Sequence, residues 1–191
     1  MASRAVIRLA LALLVAAPLA ACSREGADPR SARGQAPIRV VQRADCPHVG
    51  VLADAADLTR FRQGGGEDLT DMIVDAKVTG VQGSCDLARR ATNVDVAITI
   101  QATRGPAAGT RVLDVPYFVA VTDQSGQVLD KQVFQARFEF PPNRSTARLT
   151  GEEIRLVLPT GEGVRGRDFA VSVGLQVDEK ELAFNRRRGP R

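Results

Sequence analysis

From Met72 onward, apolar and polar residues alternate with a period of two. Met72, Val74, Ala76 and Val78 alternate with Asp75, Lys77 and Thr79, and Val94, Val96, Ile98 and Ile100 with Asp95, Ala97, Thr99 and Gln101. Phe134, Ala136, Phe138 and Phe140 are spaced by Gln135, Arg137 and Glu139. Ile154, Leu156 and Leu158 are spaced by Arg155 and Val157, and Phe169, Val171, Val173, Leu175 and Val177 by Ser172, Gly174 and Gln176. Each pattern predicts a half-buried strand, because successive side chains on a strand point to opposite faces. "VPYFVAV" (Val115 to Val121) is apolar on both faces and predicts a central strand; "IRVV" (Ile38 to Val41) predicts a short edge strand.

Turn chemistry separates these segments. "TDQSGQ" (Thr122 to Gln127) predicts a short hairpin loop, "FPPNRS" (Phe140 to Ser145) ends a strand at its prolines, and "PTGEGVRGR" (Pro159 to Arg167) is a Gly-rich loop. "VLADAADLTRF" (Val51 to Phe61) fits a short helix or a strand with a turn. No helical period longer than two turns is visible. The expectation is an all-β domain over residues 38–184, an antiparallel β-sandwich of immunoglobulin-like architecture, with a small β-barrel as the alternative. The chain has no Trp, so the likeness to immunoglobulins is architectural only.

The first residues follow another pattern. The apolar run Leu9 to Ala21 is broken by Pro18 and preceded by Arg4 and Arg8. It is shorter than the roughly 20 residues a spanning helix needs. A basic start, an apolar middle and small residues before a cut site are the layout of an export signal. Leu19-Ala20-Ala21-Cys22 resembles the lipobox of bacterial lipoproteins. That resemblance implies cleavage between Ala21 and Cys22, diacylglyceryl transfer to the Cys22 thiol, and acylation of the new amino terminus. More than one acyl chain gives a stable anchor, at about 0.8 kcal/mol per buried CH₂. Ser23, in place of the Asp that retains enterobacterial lipoproteins in the inner membrane, implies the outer membrane, with the domain facing the periplasm. Residues 22–37 read as a lipidated start and a flexible linker, spanning about 20 Å as a random coil.

The signal also changes the charge and cysteine arithmetic. Without Arg4 and Arg8, the 26 Lys+Arg fall to 24 against 22 Asp+Glu, so +4 becomes +2. That balance does not suggest nucleic-acid binding. Of three cysteines, Cys22 is taken by lipid; Cys46 and Cys85 remain, and an oxidising compartment favours their pairing.

Candidate chemistry is sparse. The one histidine, His48, has no G-x-S-x-G elbow with it and does not complete a metal set with two thiols. The acidic groups Asp54/Asp57, Asp68/Asp71, Glu152/Glu153 and Asp178/Glu179/Glu181 are not accompanied by the aromatic platforms of sugar clefts. "RQGGGEDLTD" (Arg62 to Asp71) is Gly-rich but lacks the Lys-Ser/Thr of a phosphate loop. "FNRRRGPR" gathers Arg186, Arg187, Arg188 and Arg191 in a basic tail, residues 185–191, a candidate polyanion contact.

The stretches "CPHVGVLADAADLTRFRQGGGEDLTDM", "YFVAV" and "ELAFNRRRGPR" resemble an uncharacterised group of proteobacterial lipoproteins, a likeness that carries no functional residues. The resulting expectation is a lipid-anchored envelope protein, non-enzymatic and without cofactor or metal, that meets the membrane through its lipid and an envelope protein through its domain. Its alternative is a periplasmic binder of polyanions or small ligands through the Arg-rich tail and Gly-rich loops.

Overall fold

The computed structural model describes residues 38–40 and 43–189. The signal segment with Ala21, the proposed lipidation residue Cys22, the linker and Arg191 lie outside the described residues.

The alternating segments become the strands of two packed sheets. In the first sheet a long hairpin, β4 (Met72–Leu87) and β5 (Ala91–Arg104), forms the centre. On the far side of β4 lie β1 (Ile38–Val40) and β3 (Asp57–Phe61), pairing with different stretches of it. On the far side of β5 lie β8 (Thr146–Thr150) and β9 (Ile154–Pro159), again end to end. The second sheet runs β2 (His48–Val51), β10 (Phe169–Leu175), β6 (Val112–Asp123), β7 (Val128–Glu139). The inward residues are those the alternation marked. Val94, Val96, Ile98 and Ile100 of β5 pack in one core with Val115, Val119, Val171 and Val173 of the second sheet. The sheets stay separate and do not close, which excludes the barrel.

Most pairs are antiparallel, as expected, but β1 lies parallel to β4 and β2 parallel to β10. Both exceptions arise from the segment before β3, which crosses from one sheet to the other and meets strands that come much later in the chain. Long separation is what parallel pairing requires. The ambiguous stretch Val51 to Phe61 resolves as the end of β2, a single 3₁₀ turn at Ala53–Ala55, and β3. Gly174 lets that turn approach: a Cβ there would stand 2.8 Å from the Ala55 Cβ. The hairpin loop after β6 forms as predicted, with the Asp123 carboxylate accepting from the Ser125 and Gln127 amides and Gly126 at φ +83°.

One element differs from expectation. Residues 185–188 are not a separate basic tail: they are the last turn of a helix, α1 (Glu179–Arg188). Asp178 caps its start by accepting from the Glu181 amide, while the Glu181 carboxylate accepts from the Asp178 amide. This reciprocal pair supplies partners for amides that a helix leaves unsatisfied. Few apolar residues lie along α1, so no hydrophobic period announces it.

Candidate functional site

The structure engages most of the sequence's candidates within the fold itself. Cys46 and Cys85 are buried and disulfide-bonded across 39 positions, tying the segment ahead of β2 to the end of β4. His48 is exposed on β2. Among the described residues, no group of three or more His, Cys, Asp or Glu side chains is placed to hold a metal ion.

The acidic pairs have structural partners. In the Gly-rich loop, Asp68 Oδ1 accepts from the Thr70 hydroxyl at 2.6 Å and from the Thr70 and Asp71 amides. The Thr70 hydroxyl, aided by those amides, holds the Asp68 carboxyl below its ordinary pKa. Asp71 is buried, pairs with Arg62, and accepts from the Gly66 amide at 2.5 Å. The loop therefore wraps around the chain's own carboxylate. Asp54 pairs with Arg186 at 2.8 Å, and Asp57 with Arg188 at 3.7 Å. Glu181 is buried against Arg60 at 2.8 Å. Glu152 and Glu153 stay exposed.

The described part of the arginine cluster is drawn into ion pairs with the domain. Arg186 meets Asp54, Arg187 meets both oxygens of Glu67 at 2.7 Å, and Arg188 lies between Asp57 and Asp75, each at 3.7 Å, with its Nη1 donating to Thr59 at 3.0 Å. Asn185 donates to the carbonyls of Asp54 and Asp57, and Phe184 meets Phe61 edge-on at 5.2 Å. These contacts fasten α1 to the Asp54–Phe61 segment. The three described arginines are turned toward the protein's own carboxylates, not displayed as a free polycation.

A second polar group sits on the outer face of the first sheet. Arg155 of β9 grips Asp95 of β5 with two hydrogen bonds, 2.7 and 3.2 Å, and Ser84 of β4 donates at 3.3 Å. The Arg155 hydrogen bond holds the buried Asp95 carboxyl below its ordinary pKa. Ser84 and Asp95 resemble two members of a catalytic triad, but the single histidine is on β2 in the other sheet. A hydroxyl and a carboxylate without an imidazole do not make an activated nucleophile.

The feature that the sequence reading missed is an open side of the sandwich. On β7, the residues opposite the β6 core positions Val115, Tyr117, Val119 and Val121 are Ala136, Phe134, Gln132 and Asp130, so these share the inner face. Along that face burial fades: Ala136 is buried, Phe134 half-buried, and Gln132 and Asp130 exposed. All of Val128 to Val133 are exposed. Among the described residues β7 pairs only with β6, and β9 only with β5, so two unpartnered edges flank the gap between the sheets. A cleft of about 380 Å³ opens there, with Val121, Leu156, Leu158 and Phe169 in its walls and Leu129, Asp130 and Arg155 at its rim. Val128, Leu129, Val133 and Val157 are four of the eight large apolar residues that the described surface exposes, so exposed apolar area concentrates on these two strands. "VLDKQV" has no regular period, and its apolar residues are separated in sequence from Val157, which is why the reading by alternation passed over it.

The opposite side of the sandwich carries the amino-terminal end of the domain. β1 and β3 lie at the other margin of the first sheet and β2 at the other margin of the second. The seam between β7 and β9 thus lies across the width of both sheets from the point where the chain before Ile38 joins. Compared with protein-family profiles, with curated proteins and with solved structures, the chain has no match.

Proposed function

We propose that this chain is a lipid-anchored cell-envelope protein whose β-sandwich binds a protein partner and carries out no chemistry of its own. The anchor rests on Leu19-Ala20-Ala21-Cys22 and the export-signal layout before it. The observation that carries the binding role is the seam: two unpartnered strand edges with apolar side chains exposed along both. Exposed strand edges invite pairing, and apolar residues gathered along them form a natural contact surface.

A photo-crosslinking amino acid at Leu129, on the full-length protein in intact cells, tests the reading. A discrete adduct that is absent with the same probe at exposed Gln63 on the far margin is expected. Monomer alone at both positions overturns the partner role. For the anchor, Cys22→Ser is expected to release the protein from the membrane fraction; persistent membrane association with lipid labelling overturns it.

Polyanion binding through the Arg cluster is less well supported. Arg186, Arg187 and Arg188 would each have to exchange a carboxylate of the domain for the ligand.

A further inference from the structure

We infer that the end of the sandwich carrying the β4–β5 turn docks on an anionic lipid surface. Two loop tips enter the headgroup layer there, and the arginines beside them meet lipid phosphates. The inference rests on the lipid-anchored reading above and is independent of the protein partner.

Two tips meet at this end, where β4 and β9 both finish and Ala91 stands opposite Pro159. In the first tip the Ala88 amide donates to the Ala91 carbonyl at 2.8 Å, which puts Arg89 and Arg90 at the corner of the turn. In the second, Gly161 and Val164 exchange hydrogen bonds of 2.9 and 3.0 Å, with Glu162 (φ +47°) and Gly163 (φ +96°) at the bend. The Thr160 amide donates to the Arg90 carbonyl at 3.2 Å and ties the two tips together. Each tip carries one large exposed apolar residue, Leu87 at 46% and Val164 at 44%. Each is followed by two arginines, in "LARR" (Leu87 to Arg90) and "VRGR" (Val164 to Arg167). Leu87, Arg89, Val164 and Arg165 line one open cavity of about 260 Å³. An apolar side chain with a guanidinium beside it matches the boundary between headgroups and acyl chains, where the stem is buried and the charge stays with the phosphates.

Charge separates this end from the other. Arg43, which reaches it through the Cys46–Cys85 bridge, forms no ion pair among the described residues, nor do Arg89 and Arg90. Arg165 and Arg167 share a single carboxylate, Asp45, at 3.5 and 3.4 Å. Asp86 and Glu162 are the exposed carboxylates beside the tips. Asp123 and Asp168, on the second sheet's part of this end, accept from loop amides. Around the tips themselves, five arginines thus stand against Asp45, Asp86 and Glu162. Near an anionic leaflet each basic residue strengthens attachment about fivefold. The opposite end fits such a surface poorly: Leu69, its most exposed apolar residue, follows Glu67 and Asp68.

The point of attachment agrees. Ile38 lies opposite Val81, six residues before Leu87 along β4 and nine after Met72, so the chain ahead of it joins nearer the tips. From Val81 to Leu87 the strand covers about 20 Å, close to the average span of the linker. A domain held at that range meets the surface at high effective concentration, and weak contacts suffice to dock it.

The test takes the full chain as produced in cells and reconstitutes it from detergent into vesicles. These contain phosphatidylcholine alone or mixed with anionic phosphatidylglycerol, with bromine on some acyl chains. An environment-sensitive fluorescent amino acid replaces Leu87, Val164 or, as the control, Leu69. In anionic vesicles the probes at 87 and 164 are expected to be quenched and the probe at 69 not; neutral vesicles or high salt should abolish the quenching. Arg89→Gln combined with Arg90→Gln should weaken docking about 25-fold, at about fivefold per residue. Glu162→Gln, which removes a carboxylate from the second tip, should strengthen it. The inference is overturned by equal quenching at position 69, by equal quenching in neutral vesicles, or by indifference to these substitutions. Protein that stays on both kinds of vesicle with neither tip quenched defeats the docking alone. Protein that leaves both defeats the anchor as well.

Discussion

Asp95 shows how a single carboxylate is placed and what it does for stability. It is 7% exposed on the outer face of the first sheet, and the Arg155 guanidinium grips it while Ser84 adds a third bond. Its folded pKa is depressed, so the stability it contributes is complete above the unfolded value of about 3.9 and is lost as pH falls through the lower folded value. Asp68 and Asp123, held low chiefly by the Thr70 and Ser125 hydroxyls, act in the same direction. Asp95→Asn should therefore lower stability at neutral pH and flatten the loss below about pH 4, as read by urea denaturation at several pH values. An unchanged acid limb would show that the pair is thermodynamically silent. Tyr117 moves the other way: burial, with the Glu152 charge nearby, raises its phenol pKa. Ser84, Asp95 and Arg155 are each unremarkable in the sequence. Their meeting depends on the β4–β5 and β5–β9 registers, which alternation alone does not give.

At the scale of elements, legibility followed burial. β5, β9 and β10 have one buried and one open face, and their cores could be named from alternation. The second half of β7 was read for the same reason, while its first half was not, since a segment exposed on both faces has no reason to alternate. β8 is five residues with no large inward side chain except Leu149, too short for a period to register. The helix was hidden differently. Its docking relies on Asn185, Arg188 and the Arg60–Glu181 pair more than on an apolar stripe. The legible signal was the capping box Asp178-x-x-Glu181. A helix of ten residues is marginal alone, so α1 depends on its cap and its dock. Asp178→Ala is expected to cost about 1 kcal/mol. It should also speed hydrogen exchange in α1 before the rest of the domain, and uniform acceleration across the sheets would contradict independent fraying.

For the molecule as a whole, the sandwich and the Cys46–Cys85 pairing follow from pattern and parity together, whereas alternation alone left a closed barrel as an alternative and the strand orders decide against it. The seam does not follow from pattern, because it belongs to neither sheet: it is set by where two strand orders end side by side. Substituting Ile98, 1% exposed at the centre of the core, by Ala is expected to destabilise the domain by about 2–5 kcal/mol in a denaturant titration. Reduction of the disulfide should lower stability by about 4 kcal/mol on the chain-entropy account for a loop of this length. Matching denaturation midpoints for oxidised and reduced protein would show that the bridge adds nothing to equilibrium stability.

The same bridge has a mechanical consequence. A pull on the chain ahead of Ile38 acts first on β1, a three-residue strand that among the described residues pairs only with β4. Once β1 peels away, residues 38–45 can straighten by at most about 25 Å before the force arrives at Cys46. There it passes through a covalent bond into Cys85, at the end of the longest strand. Under tension from its amino terminus the domain has a short length of slack and then a covalent stop, and the chain between Cys46 and Cys85, β2 included, is not drawn out.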